Sequence, residues 1–401
     1  MKKLTRAVAS VLMTMVLISL IACRAVDETP EITPPPPTPV PTPVPTPEPT
    51  PEPTPEPMIV PIDLSFSEIT NEILADMILS GDIPQKTVEI NLKGNDLSDI
   101  SSLEILTELT WLDLGQNNIS DISSLEPMTE LTWLDLGQNN ISDISSLEPM
   151  TELTWLDLNK NKINDISSLK SLKELEYLDL SGNQISNTSS LKSLKKLTLL
   201  NLNNNKISDI SSINALTEIN HLELRFNEID DISPLQSLIS LTHLYLGLNH
   251  IEDIKTLESL TELTHLSLEY NEIKDLRPLS SLTKLLRLEL TSNKIQDIAP
   301  LSSLTELTFL CLGSNQIRSI SSLKSLTALT ELNLASNRIR DLSPLRPLIQ
   351  LTDLDLSFNR IWNINPLMSL VQLTGLGIYG NNISSSQIKR LQEALPDCYI
   401  N

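Results

Sequence analysis

The chain has 401 residues, 51 acidic side chains against 29 Lys and Arg, and a formal net charge of −22, a balance that excludes a nucleic-acid partner, because phosphate contacts need a basic stripe. Only 3% of residues are aromatic and 10 are Gly, yet 40% are hydrophobic, so the core must be built mainly from Leu and Ile. A conventional enzyme of this length uses more Gly and aromatic side chains in active-site loops, and the composition points instead to a regular, repetitive architecture.

Lys2, Lys3 and Arg6 precede an apolar run from Ala7 to Ala22, the layout of an export signal. Leu20-Ile21-Ala22-Cys23 resembles a bacterial lipoprotein lipobox. The resemblance implies a signal peptide of residues 1–22 and a lipid on Cys23 that anchors the chain in the bacterial cell envelope, exposed outside the cytoplasm. An ordinary secretory signal with a chance Cys is the alternative. No other segment approaches the ~18 apolar residues needed to span a membrane. From Pro30 to Pro57, 15 of 28 residues are proline. Pro lacks an N–H donor and fixes its own φ, so residues 23–61 are predicted as a Pro-rich disordered or polyproline II linker, in which Pro30 to Pro57 form a semi-rigid rod on the order of 85 Å long.

Residues 62–86 read as an N-terminal cap, with an amphipathic helix over 67–79 carrying Ile69, Ile73, Leu74, Met77 and Ile78. Fourteen Asn residues follow, from Asn95 and Asn117 to Asn359 and Asn381, each 22 residues from the last with no insertion. Around each runs one pattern, read in one turn as Leu109, Leu112, Leu114, Asn117, Ile119, Ile122, Leu125 and Met128. Leu112 and Leu114 alternate with period two, so they mark a short strand with Trp111 and Asp113 outward. The Asn sits where the chain leaves the strand, and its amide can satisfy backbone groups that the bend leaves unpaired. Ser123-Ser124-Leu125, replaced elsewhere by Ser233-Pro234-Leu235, reads as a Ser cap on a short 3₁₀ turn. Residues 109–130 and 131–152 are identical, the mark of an internal duplication. Residues 386–401 read as a C-terminal cap with Ile388, Leu391 and Leu395 on one helix face.

The pattern matches the leucine-rich repeat, and its 22-residue version most resembles the internalin-like bacterial group over residues 87–385. The resemblance implies an α/β fold: a right-handed solenoid of about 14 repeats, with a parallel β-sheet on the concave face, 3₁₀ or irregular convex segments, and helical caps. It also implies that the concave face binds another macromolecule. This chain departs from the group in lacking an LPxTG-like sorting signal and an Ig-like domain after the repeats.

Catalytic constellations are absent from the pattern. Gly375-Leu376-Gly377-Ile378-Tyr379-Gly380 fits a dinucleotide fingerprint but falls inside a repeat strand, whereas the fingerprint needs a strand-to-helix turn. Cys311 is expected outward and modestly exposed, and Cys398 buried; three turns, about 14 Å, separate them, too far for a disulfide. One outward column reads Trp111, Trp133, Trp155, Tyr177, Leu199, His221, His243, His265, Arg287, Phe309. The next reads Asp113, Asp135, Asp157, Asp179, Asn201, Glu223, Tyr245. Ten of the 13 aromatics occupy outward positions between strand start and Asn, where a core role does not explain them. Imidazoles in a flat ladder present ligands in a line and not as a tetrahedron, so neither metal nor cofactor is expected. Their protonation below about pH 6.5 is expected to weaken binding of a basic partner.

The reading is a monomeric surface protein without enzymatic activity. Trp111, Trp133, Trp155, Tyr177 and Tyr245 anchor a protein partner, His221, His243 and His265 contact it, and Asp113, Asp135, Asp157 and Asp179 select its basic patch. The alternative is a glycan stacked on the Trp faces.

Overall fold

The computed structural model describes residues 61–401, so Cys23 and the predicted export signal and linker through residue 60 lie outside the described residues. Sixteen short strands form one parallel sheet in chain order. They run from β1 (Ile62–Asp63) and β2 (Glu89–Asn91) through β3 (Trp111–Asp113) to β15 (Gly375–Gly377) and β16 (Tyr399–Ile400). The register advances by one repeat at each step: Glu89 pairs with Trp111, Trp111 with Trp133, and Asp353 with Gly375. Thirteen 3₁₀ segments lie on the opposite side of each turn. This is the expected leucine-rich repeat solenoid.

The periodic Leu and Ile form its core. In the duplicated turn Leu109, Leu112, Leu114, Ile119, Ile122, Leu125 and Met128 are all buried, and removing these side chains from water supplies the main folding drive. Each Asn closes its turn as expected. Asn139 Nδ2 donates to the carbonyls of Leu136 (3.1 Å) and Leu114 (2.9 Å), and its Oδ1 accepts from Ile119 N–H at 2.9 Å. One amide therefore satisfies two neighbouring turns.

The residue before the Asn adopts a left-handed backbone almost throughout: φ is 56° at Gln116, 56° at Phe226 and 54° at Phe358. The glycines at this position, Gly182 (φ 69°) among them, were the sequence signal for it.

The 3₁₀ cap differs from the Ser reading. No Ser hydroxyl caps the segment Ser123–Leu125; instead Asp121 Oδ1, two residues before, accepts from Ser123 N–H at 2.9 Å. Asp143, Asp165, Asp209 and Asp231 repeat the bond. Asx side chains bond the backbone two residues on more strongly than Ser does.

Helix α1 is Asn71–Ser80, shorter at its start than expected. Thr70 Oγ1 accepts from Ile73 N–H, and Gly81 ends the helix in the left-handed region. Residues 67–69 instead form a bend whose N–H groups, from Ser67 and Ile69, donate to Asn95 Oδ1. Leu74 and Ile78 cover the first turn, while Ile73 stays exposed. At the other end α2 (Ser385–Ala394) buries Leu391, and Leu395 just after it, leaving Ile388 at the exposed margin.

Candidate functional site: the concave ring and aspartate ladders

Parallel pairing in fixed register places identical positions of successive turns one strand spacing apart, about 4.8 Å. Flat side chains in such a column must stack. Trp111, Trp133, Trp155 and Tyr177 do so with centroid separations of 4.3, 4.2 and 4.6 Å and interplanar angles of 7–12°. After Leu199 the stack resumes: His221 and His243 lie 5.1 Å apart, His243 and His265 4.3 Å. Arg287 then covers Phe309, its guanidinium carbon 3.5 Å from the ring centroid. The rings are half-buried except His221 and Phe309, which are buried. Within the stack each face is covered by a neighbour, so what the ladder offers a partner is ring edges.

The histidines are ordered by threonines. Thr242 Oγ1 donates to Asn220 O at 3.0 Å and lies 2.9 Å from His243 Nδ1. Thr264 repeats this with Thr242 O (3.1 Å) and His265 Nδ1 (2.9 Å). The hydroxyl proton goes to the carbonyl, so Nδ1–H donates to the hydroxyl and Nε2 is left as an acceptor. Burial, with the neighbouring imidazoles, lowers the His243 pKa to about 4. Burial and Arg287 also lower that of His265. At these two positions protonation is therefore moved to lower pH than the expected 6.5.

The aspartate column faces outward but is not open. Asp113, Asp135, Asp157 and Asp179 are only 5–9% exposed. Each Oδ1 accepts an N–H two residues on, from Gly115, Gly137, Asn159 and Ser181, at 2.7–2.9 Å. At Gly137 the next turn comes close: a Cβ there would meet Asn159 Nδ2 at 2.6 Å, so the Asn159 side chain would have to shift.

Burial and the neighbouring carboxylates make ionisation costly. Burial and Asp135 raise the Asp113 pKa to about 6, and burial with Asp179 and Asp135 raises Asp157 to about 8. Asp179 is raised by burial as well. Asp157 therefore holds its proton at neutral pH, so the charge that selects a basic patch is weaker there than the sequence alone suggests.

Two cations that the sequence reading passed over hold this face together. Lys93 Nζ lies 3.7 Å from Asp113 and 3.3 Å from Asp135. Burial alone would lower its pKa, but Asp135 and Asp113 outweigh it and hold the ammonium above its ordinary value. Arg225 sits over Tyr245, 4.5 Å from the ring centroid, and reaches Glu269 at 3.5 Å. Their signal in sequence was a basic residue two places before the Asn, at 93 and 225, beside acidic columns of adjacent turns.

Cys311 is 2% exposed, not modestly exposed, on a strand paired on both sides, in register with Glu289 and Asn333. Cys398 is buried too, and neither forms a disulfide. Gly375 and Gly377 lie in β15, paired with Asp353 and Asp355.

This geometry defines a leucine-rich repeat protein with a preformed concave face, and the comparisons agree. A family model of leucine-rich repeats, taken two copies at a time, matches residues 129–171, 151–193, 173–217, 195–237, 261–303 and 305–347. The crystal structure of an internalin, inlF, from Listeria monocytogenes is 37% identical, with a TM-score of 0.61 over 73% of this chain and 80% of that one. The chain belongs to the internalin-like leucine-rich repeat family. A leucine-rich repeat protein of Leptospira interrogans shares the fold at 22% identity and a TM-score of 0.64, over 84% of this chain and 94% of that one. InlJ of Listeria monocytogenes does so at 23% and 0.61, over 75% and 68%. No curated protein matches.

Proposed function

We propose that the protein is a cell-envelope lipoprotein, tethered through Cys23 and the Pro-rich linker, whose solenoid binds another protein in adhesion or scaffolding. The partner docks on the concave face. The observation that supports this most is the ring ladder: a core of Leu and Ile needs no aromatics, yet ten of 13 lie in outward positions. Stacking orders Trp111, Trp133, Trp155 and Tyr177 in advance, so binding loses little side-chain entropy there. His243 and His265 add Nε2 acceptors for donors of the partner, and Tyr245 adds a ring held by Arg225. Glycan stacking is the weaker reading, because the ring faces inside the stack are already covered.

The aspartates select charge in a pH-dependent way. A basic patch set on Asp113, Asp135, Asp157 and Asp179 favours their ionised form, so docking releases protons. Affinity then rises as pH increases between about 6 and 8, the values of Asp113 and Asp157, and falls with added salt.

The test is capture of extracellular and envelope proteins by the full chain beside a Trp111→Ala, Trp133→Ala, Trp155→Ala variant whose fold is checked by circular dichroism. A protein held by the native chain, lost in the folded variant and bound more tightly at pH 8 than at pH 6 is the expected result. Equal capture by both sinks the concave reading.

A further inference from the structure

Between the asparagine ladder and the 3₁₀ segments runs a flank with two outward columns, one and three residues after each Asn. In the middle turns these columns neutralise themselves. Lys294 pairs with Glu272 at 2.6 Å in the first, and Lys274 with Glu252 in the second.

Toward the C-terminal turns the carboxylates stop and the cations do not. The first column becomes Arg338 and Arg360; the second becomes Arg318, Arg340 and Trp362. Ser319 stands where neighbouring turns carry Asp297 and Asp341. The four arginines line one cleft of about 430 Å³ with Asp341 and Pro344. Arginines that form ion pairs among the described residues are Arg225, Arg277 and Arg287, none of them in this cleft. Its carboxylate, Asp341, is committed to Ser343, accepting from the N–H at 2.9 Å and the hydroxyl at 2.7 Å. In a chain of net charge −22, a cleft with four guanidiniums facing one engaged carboxylate is a local reversal of sign.

The chemistry selects the ligand. Guanidinium forks match planar oxyanions bidentately, unlike a lysine ammonium, and turns about 4.8 Å apart repeat the fork along a line. Such an array suits a polymer with regularly spaced anionic groups. Trp362 continues the Arg318 and Arg340 column by one turn and is 62% exposed. Unlike Trp111, Trp133 and Trp155, it stacks on no other ring among the described residues. Gln387 Nε2 donates to its backbone carbonyl at 2.9 Å, fixing its place against α2. An open indole face beside oxyanion forks fits a sugar ring that carries anionic groups.

We propose that this flank is a second binding site, separate from the concave face, for an anionic polysaccharide: Arg318, Arg338, Arg340 and Arg360 hold its sulfate or carboxylate groups, and Trp362 stacks on a sugar ring. Heparin, which carries both groups, is the probe, and inorganic polyphosphate, which has no sugar, is the contrast. Binding is measured by calorimetry on the full chain at physiological salt. The expected result is saturable heparin binding that Arg318→Ala with Arg340→Ala weakens by at least roughly tenfold, two lost charge-assisted contacts being worth that or more. Trp362→Ala weakens heparin by about threefold to tenfold and leaves polyphosphate unchanged, as loss of one stacking contact predicts. Lys274→Ala with Lys294→Ala, which removes paired cations of the same flank, leaves both unchanged.

Absence of heparin binding, or binding that the two arginine substitutions do not weaken, overturns the site. Polyphosphate binding as tight as heparin, with Trp362→Ala neutral for both, overturns the polysaccharide assignment in favour of a general polyanion cleft. All the altered side chains are exposed, so folding is retained and checked by circular dichroism.

Discussion

Two columns of aspartate run along this solenoid and make the same hydrogen bond with opposite consequences. Asp113 Oδ1 accepts from Gly115 N–H at 2.9 Å on the concave face, and Asp121 Oδ1 accepts from Ser123 N–H at 2.9 Å before the 3₁₀ segment. The bond to Ser123 holds Asp121, in open water, below the usual carboxylate value. Asp113, buried and faced by Asp135, is raised to about 6. The donor is the same; burial and the neighbouring charge decide. The flank column is therefore a row of caps whose charge water dissipates. On the concave face the charge is held in check, and a bound cation can call it out.

The comparison can be broken first at the frame both columns share. Asn161→Ala removes the acceptor of Ile141 N–H and the donor to the carbonyls of Leu136 and Leu158. Chemical denaturation is expected to show a loss of about 3 kcal/mol, the order expected when buried backbone groups are orphaned. A loss no larger than that of an exposed Asn would deny the ladder its role.

The concave column itself comes next. Asp157→Asn keeps an acceptor for Asn159 N–H but removes a charge that Asp179 and Asp135 repel. It should stabilise the protein at pH 8, on the order of 2 kcal/mol given a raised pKa worth about 1.4 kcal/mol per unit, and do little at pH 4. Asp121→Asn, in the flank column, should give no gain at pH 8.

Melting temperature as a function of pH sharpens the contrast. A raised pKa means the folded state holds its proton more tightly, so the contribution of Asp113 and Asp157 is full below about pH 4, the unfolded value, and declines as pH rises through about 6 to 8. Asp99, Asp121, Asp143 and Asp209 are lowered by their backbone bonds. Their contribution is present above about pH 4 and lost as pH falls through their folded values. Stability should therefore be greatest between about pH 4 and 6, and a maximum above pH 8 would reverse the assignment. The smallest effect is on His243: proton NMR should place its titration near 4, and a midpoint near 6.5 would restore the switch expected from sequence.

Spacing made much of this legible. Fourteen Asn at one interval determine register, register determines stacking, and stacking follows for Trp111, Trp133 and Trp155 from their being 22 residues apart. Burial of the outward columns was not legible. Alternation says that Asp113 and Cys311 leave the core, but exposure depends on how closely the neighbouring turns pack, and they are only 5% and 2% exposed. The arginine cleft escaped for a similar reason: Arg318, Arg338, Arg340 and Arg360 are spread over three repeats in sequence, and only the register of the turns brings them to one cleft.

The central claim is that Asp157 of the concave column, unlike Asp121 of the flank column, keeps its proton at neutral pH, and so gives the concave face a response to a basic partner. Carbon-13 NMR titration of the labelled aspartate carboxyls tests it directly. The account predicts a midpoint near 8 for Asp157 and near 6 for Asp113, with Asp121 below the ordinary carboxylate value. If Asp157 and Asp121 titrate together near 4, the concave face is fully charged at neutral pH, and the distinction between the columns is gone.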